Sequence, residues 1–254
     1  NMKSIKLCFG GVGLLLFCSC IKKGAGTPLT AQQVVDSSIV NSGGDQYVNH
    51  DVTYTFRDRT YISENVEGKK VLKRITNTDS IVITDVLGPD GFTRFFNDSL
   101  MNLHDTLANS YANAVNSVHY FSRLPFGLND VAVRKELLGN TEILGKPYYK
   151  VKVTFSQQNG GKDFEDIYLY WFGKKDFKPQ YLAYKFYTNG GGIRFREAFN
   201  ERYVNGIRFV DYRNFKPKKG RQVDFMKIDS VYSLGELELL SMIELKNLAV
   251  KPSP

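Results

Sequence analysis

Runs that repeat every two residues, separated by pairs that tolerate a left-handed backbone, limit this chain's fold more than any other feature. Asn159-Gly160-Gly161, Asn189-Gly190 and Asn205-Gly206 fall among runs at Tyr148 to Phe155, Phe164 to Phe172, Tyr181 to Tyr187, Ile193 to Asn200 and Ile207 to Tyr212. Tight hairpins of antiparallel strands need such residues, because both central positions take positive φ. The same period starts at Asp51, where Val52, Tyr54, Phe56 and Asp58 alternate with Thr53, Thr55, Arg57 and Arg59. It returns at about Val71 to Thr76, Ser80 to Leu87 and Phe92 to Phe96, with Glu67-Gly68, Asn77-Thr78-Asp79 and Pro89-Asp90-Gly91 as turns. Two antiparallel meanders are predicted. Several later strands are apolar on both faces, as in Ile167, Leu169 and Trp171 against Tyr168, Tyr170 and Phe172. One face is therefore expected under helices, while the other lines a cavity or packs on a second sheet.

Helical signals interrupt this pattern. Thr30-Ala31-Gln32-Gln33 is a capping box, followed by an apolar stripe of Val34, Val35, Ser38 and Ile39 and a Gly43-Gly44 stop. From Asp105 to Phe121, Leu107, Tyr111, Ala114 or Val115, and Val118 recur at three- and four-residue steps. Asn129 or Asp130 then caps a second short helix over Val131 to Leu138, ended by Gly139, so a helical insert spans about 105–138. In the tail, Met226, Ile228, Ser230 and Tyr232 alternate like a strand, whereas Leu237, Leu240 and Glu244 fit one side of a helix. Strands are the reading adopted there.

Read from Met2, the chain opens with Lys3 and Lys6, and from Leu7 to Phe17 only Gly interrupts the apolar residues. That run is shorter than the roughly 20 residues a spanning helix needs, so it is a targeting segment. Leu16-Phe17-Cys18-Ser19-Cys20 resembles the lipobox of bacterial lipoproteins: Ser19 is the small residue before the cysteine, and Phe17 and Cys18 depart from the usual pattern. The resemblance implies cleavage before Cys20 and acylation of its thiol. It divides the chain into a signal peptide (1–19), a lipidated tether (20–29) and a single β-rich domain (30–254). All three cysteines, Cys8, Cys18 and Cys20, lie in or at the end of the signal, which leaves the mature part without disulfides or a thiol nucleophile. Its charge falls from +8 to about +6 without Lys3 and Lys6, and the basic residues are scattered, so nucleic acid is not an expected partner. The expected site is the cell envelope, on the periplasmic face of the outer membrane, with surface display left open.

The order of elements resembles the lipoprotein-carrier fold, which implies a mainly β (α+β) protein: an antiparallel open half-barrel or strongly curved sheet with an N-terminal helix and a central helical insert. Locally, Asn116-Ser117-Val118-His119-Tyr120-Phe121, Leu128-Asn129-Asp130, Val153-Thr154-Phe155-Ser156-Gln157 and Gly191-Gly192-Ile193-Arg194-Phe195-Arg196-Glu197-Ala198 are similar to a family of predicted lipoproteins of Gram-negative bacteria. That family is defined only as a domain of unknown function, and the likeness carries across a compartment without catalytic residues.

Chemistry-bearing patterns are few. His50, His104 and His119 have no metal-ligand spacing, and no cofactor is expected. Gly190-Gly191-Gly192 lacks the strand-to-helix context and the Lys-Ser/Thr of a phosphate loop, and no nucleophile elbow occurs. Period two places Arg194, Arg196 and Asn200 on one face of a strand, and Arg57 and Arg59 on one face of another. On a concave face such guanidiniums would receive a carboxylate or phosphate headgroup; on an outer face they would serve ion pairs. Tyr170, Trp171, Tyr184 and Tyr187 would stack a sugar, line a lipid pocket or pack a core. The candidate ligand-binding set is Arg57, Arg59, Arg194, Arg196, Asn200, Trp171 and Tyr184, with Cys20 as the lipidation site. Three functions fit: a membrane-anchored binding or carrier module for an apolar or amphipathic small molecule such as a lipid, an envelope hydrolase using Asp163, Glu165 and Asp166 or His119, and a structural or interaction lipoprotein.

Overall fold

The computed structural model describes residues 28–158 and 164–254. The signal peptide, Cys20, most of the tether, the Asn159-Gly160-Gly161 turn and Asp163 lie outside the described residues. The capping box forms as expected: Gln33 N donates to Thr30 Oγ1 at 3.2 Å, Thr30 N donates to Gln33 Oε1 at 2.9 Å, and α1 runs over Ala31–Asn41.

A meander follows: β1 (His50–Phe56), β2 (Arg59–Val66), β3 (Lys69–Asn77), β4 (Val82–Gly88), β5 (Gly91–Phe96) and the short β6 (Ser99–Leu100). α2 (Asp105–Ser122) then crosses the molecule and packs on β3, β4 and β5. The second meander comprises β7 (Val133–Ile143), β8 (Lys146–Phe155), β9 (Ile167–Gly173), β10 (Pro179–Phe186), β11 (Gly192–Val204) and β12 (Ile207–Pro217), and α3 (Ile228–Ser233) follows it. β13 (Leu237–Ile243) pairs with β12, and after Glu244 and Leu245 the chain passes to β14 (Lys246–Pro252), which pairs with β1. The result is two antiparallel seven-stranded sheets, ordered β14-β1-β2-β3-β4-β5-β6 and β13-β12-β11-β10-β9-β8-β7, which are not closed into a barrel. At the corner between them Leu245 N donates to Asp211 Oδ1 at 2.9 Å.

The two-faced apolar strands make two cores. On the inner face of the second sheet Val151, Tyr170, Phe172, Leu182, Ala198 and Tyr212 pack against Val34 and Val35 of α1 and against Leu124 and Leu128. On the outer face Leu169, Trp171, Tyr181 and Phe195 pack against Phe225, Ile228 and Leu237.

Four local readings are corrected. Val131 to Leu138 is not helical: residues 133–143 form β7, paired with β8 from Val133↔Phe155 to Ile143↔Lys146. A ladder of that length outweighs a capping signal, and Gly139 (φ +116°) serves a bulge between Leu137 and Gly139 instead of a helix stop. After α2, helical structure ends with a 3₁₀ turn at Phe126–Asn129. The alternation from Val52 to Arg59 is two strands, because Arg57 (φ +53°) and Asp58 turn the chain and Phe56 pairs with Arg59. Arg57 and Arg59 therefore do not share a strand face. In the tail, Ile228–Ser233 is helical, while Leu237 and Leu240 belong to strand β13. Last, a register shift between Phe199 and Arg202, with Asn200 at φ +50°, takes Asn200 out of the period that joins Arg194 and Arg196.

Candidate functional site

A cavity of about 420 Å³ lies between α2 and the inner face of the second sheet. Its floor is set by strand register. One cross-strand row runs Val153, Tyr168, Tyr184 and Arg194, and the next runs Val151, Tyr170, Leu182, Arg196, Asn214 and Ser241. Tyr168, Tyr184, Arg194, Arg196, Asn214 and Ser241 all reach the cavity. Val118, Phe121 and Ser122 of α2 roof it, and Phe56 and Arg57 close one side at the β1–β2 turn.

The aromatic lining is packed against itself. Tyr168 and Tyr184 stack with centroids 5.4 Å apart, and Phe121 lies 5.4 Å from Tyr184. Burial, and after it the neighbouring Tyr120, Asp166 and Tyr184, raises the Tyr168 hydroxyl well above the ordinary phenol range, so it stays protonated. Arg196 is 7% exposed. Its guanidinium carbon sits 3.8 Å from the centroid of Phe121, and Nη2 donates to Tyr184 Oη at 3.0 Å. Its Nε is buried with no hydrogen-bond partner, and so is Asn214 Oδ1, directly across the strand pair. Arg194 lies over Phe186 at 5.1 Å and donates from Nη1 to Ile193 O at 2.9 Å. Arg57, exposed at the mouth, lies over Phe56 at 5.1 Å. None of these three arginines forms an ion pair with a carboxylate among the described residues. Asp166 lines the same cavity, is buried, and is itself engaged in an interaction.

Of the residues singled out in the sequence, Arg57, Tyr184, Arg194 and Arg196 come together here. Arg59 is exposed at the start of β2 and away from the cavity. Trp171 is on the opposite face, fully buried, with Nε1 donating 3.1 Å to Asp229 Oδ2, the same oxygen that Lys150 Nζ meets at 3.0 Å. Asn200 donates 2.6 Å to Asp211 Oδ2 and borders a separate polar groove alongside Glu201 and Arg208. Phe121, Tyr168 and Asn214 were not singled out. The signal for Asn214 was the same period two, carried two residues past Tyr212.

His119 faces the first sheet, not the cavity. It is 1% exposed, and Nε2 donates to Lys73 O at 3.0 Å, which fixes the neutral tautomer with the proton on Nε2. Burial, aided by the charges of Arg123 and Lys70, pushes its pKa down to about 4 against the partial support of the Lys73 carbonyl. Of the acidic cluster, Glu165 is exposed and Asp166 buried, and His119 does not meet them in one pocket. Among the described residues no group of three or more His, Cys, Asp or Glu is placed to hold a metal ion, and no helix is long and apolar enough to cross a membrane.

Fold and site together define a mainly β protein of two open sheets, in which one helix roofs an aromatic, arginine-bearing pocket. The chain belongs to a family of unknown function, DUF6503, whose sequence profile matches residues 33–245. No curated protein sequence matches it. Among solved structures it is similar to a LolA superfamily protein from Nitrosomonas europaea, with 13% identity and a TM-score of 0.48 over 89% of this chain and 96% of that one. It is similar also to a DUF1329 family protein from Desulfovibrio piger, with 8% identity and a TM-score of 0.47 over 86% and 92%. The lipoprotein LppX of Mycobacterium tuberculosis is more distant, with 13% identity and a TM-score of 0.25 over 62% and 89%.

Proposed function

We propose that the protein is an envelope lipoprotein, held to the periplasmic face of the outer membrane by acyl chains on Cys20, that binds or carries an apolar or amphipathic ligand between α2 and the second sheet. One observation carries the ligand half of this reading. A pocket walled by Phe121, Tyr168, Tyr184 and Phe186 holds Arg57, Arg194 and Arg196 without a described ion-pair partner. Concave, mostly apolar sites with a few fixed polar groups are the usual form of small-molecule pockets. The anchor half is supported by Lys3 and Lys6, the short apolar run and Ser19 before Cys20. Stable tethering takes two or more membrane signals, which several acyl chains on one cysteine supply without any inserted helix.

Two experiments test the halves separately. A neutral naphthylamine dye, bright only in apolar surroundings, is expected to fluoresce on mixing with the protein and to lose that signal when Val118→Trp fills the cavity roof. A dye that stays dark with the unaltered protein would remove the ligand reading. Growth in labelled palmitate is expected to label the chain, and Cys20→Ala is expected to abolish the label; an unlabelled wild-type protein would remove the anchor.

A further inference from the structure

Resting on that reading, we infer that the ligand is a single-chain amphiphile whose polar head enters the cavity and carries both an oxyanion and an adjacent O–H or N–H donor. Arg196 and Asn214 face each other across the β11–β12 ladder and line the cavity. The pair presents one unused donor, Arg196 Nε, and one unused acceptor, Asn214 Oδ1, both closed to solvent. An unmatched buried polar atom is costly, so a head that meets both atoms recovers that cost, and a head that meets one recovers part of it. A plain carboxylate satisfies the arginine and leaves Asn214 unmet. A neutral glycerol or alcohol can meet both atoms through its hydroxyls, but it brings no negative charge to the guanidinium and so forms the weaker, uncharged hydrogen bond there.

The arginine is already held in place on its face and at Nη2. The Phe121 ring lies against its face at 3.8 Å, and Tyr184 Oη accepts from Nη2 at 3.0 Å. The Nε edge is closed to solvent in the ligand-free protein, so an oxyanion reaches it as the entering head parts the side chains over it. Arg194 and Arg57 add two further positive charges at the same cavity, where Asp166 is the one lining carboxylate among the described residues. The apolar remainder of the ligand lies against Val118, Val210, Ile243 and Leu245. A volume of about 420 Å³ is at the small end of the roughly 300–1,000 Å³ range of small-molecule sites, which allows one acyl chain and not several. N-acyl amino acids and lysophospholipids of the phosphatidate type have this chemistry: one chain, an oxyanion and a neighbouring donor.

Displacement of the naphthylamine dye from the full-length protein tests the inference with four compounds of matched chain length: N-dodecanoylglycine, dodecanoyl lysophosphatidate, dodecanoate and monododecanoylglycerol. The first two are expected to compete at concentrations at least about tenfold below the last two. Asn214→Leu is expected to bring N-dodecanoylglycine level with dodecanoate. Arg196→Met is expected to remove the advantage of every anion while monododecanoylglycerol still displaces the dye, which also shows that the variant is folded. Equal competition by dodecanoate and N-dodecanoylglycine in the unaltered protein would overturn the donor requirement. Equal competition by the neutral monoacylglycerol would overturn the oxyanion, and tighter binding of a diacyl phosphatidate would overturn the single chain. In each of those cases the binding reading survives, whereas a dye that never binds removes both.

Discussion

Each sheet carries an arginine in a cross-strand row that also holds tyrosine, and the two rows are completed differently. In the first sheet the row is Tyr54, Tyr61, Arg74, Asp85 and Arg94. Asp85 sits between the two arginines, accepting from Arg74 Nε at 2.8 Å and from Arg94 Nε at 2.6 Å, and Tyr111 of α2 covers Arg94 with its ring centroid 3.4 Å from the guanidinium. In the second sheet Arg196 has Leu182 on one side and Asn214 on the other, and no carboxylate completes the row. α2 is thus fastened to the first sheet by Tyr111 over the carboxylate-bridged Arg94 and by His119, and over the second sheet Phe121 roofs a cavity. A closed row holds the fold, and an open one leaves binding capacity for a ligand.

Breaking the closed row should have the largest effect. Asp85→Asn leaves two buried guanidiniums facing a neutral amide, and urea denaturation is expected to show a loss of about 3–5 kcal/mol. Arg196→Met removes a buried charge that no carboxylate among the described residues pairs, so in ligand-free protein the same measurement should show a change of less than about 1 kcal/mol. Equal losses in the two variants would mean that the rows do not differ as described.

The helix anchor on the first sheet also sets a pH dependence. His119 titrates near 4 in the folded protein, below the 6.5 of a free imidazole, so the unfolded chain binds more protons between these values. Its contribution is complete above about pH 6.5 and is lost as pH falls towards 4, on the order of 3 kcal/mol in all. Melting curves of the wild type and His119→Gln across that window should converge as the pH drops; parallel curves would show that His119 does not titrate as its burial requires.

Closing the open row is a sharper test, with a smaller expected effect. Asn214→Asp places a carboxylate across from Arg196, as Asp85 is placed across from Arg74. A charge-assisted hydrogen bond there should stabilise ligand-free protein by roughly 1–2 kcal/mol while weakening the binding of anionic amphiphiles at least about tenfold. Unchanged anion binding would separate the cavity from its arginine. Tyr184→Phe removes one hydrogen bond to Arg196 Nη2 and, like Arg196→Met, should shift stability by no more than about 1 kcal/mol, read as a small drop in melting temperature.

Much of this architecture was legible because the residues that encode it are local. Asn205-Gly206 turns β11 into β12, the Thr30 box starts α1, and the apolar stripe through Val118 predicts α2. Where local and long-range terms compete, the sequence misleads. Val131 to Leu138 has a helix cap at one end and a glycine at the other, yet pairing along all of β8 makes it a strand. The Arg57 turn carries neither Gly nor Asn, so nothing local divides β1 from β2. Arg194 and Arg196 could be placed on one face of a strand, but whether that face was concave depended on where α2 lies, and that is set by tertiary contacts with β3, β4 and β5 of the other sheet. Trp171 shows the converse: period two set it opposite Tyr170, and which of the two joined the inner core was decided by the positions of α1, α2 and α3.

The central claim is that the space beneath α2 is a ligand site. Native mass spectrometry of the protein, isolated gently from its own cells, tests it most directly. The account predicts a bound species of a few hundred daltons that fragments to one acyl chain and an anionic head, present in the wild type and absent from Val118→Trp. A wild-type protein that carries no such mass even after incubation with its own envelope lipids would contradict it.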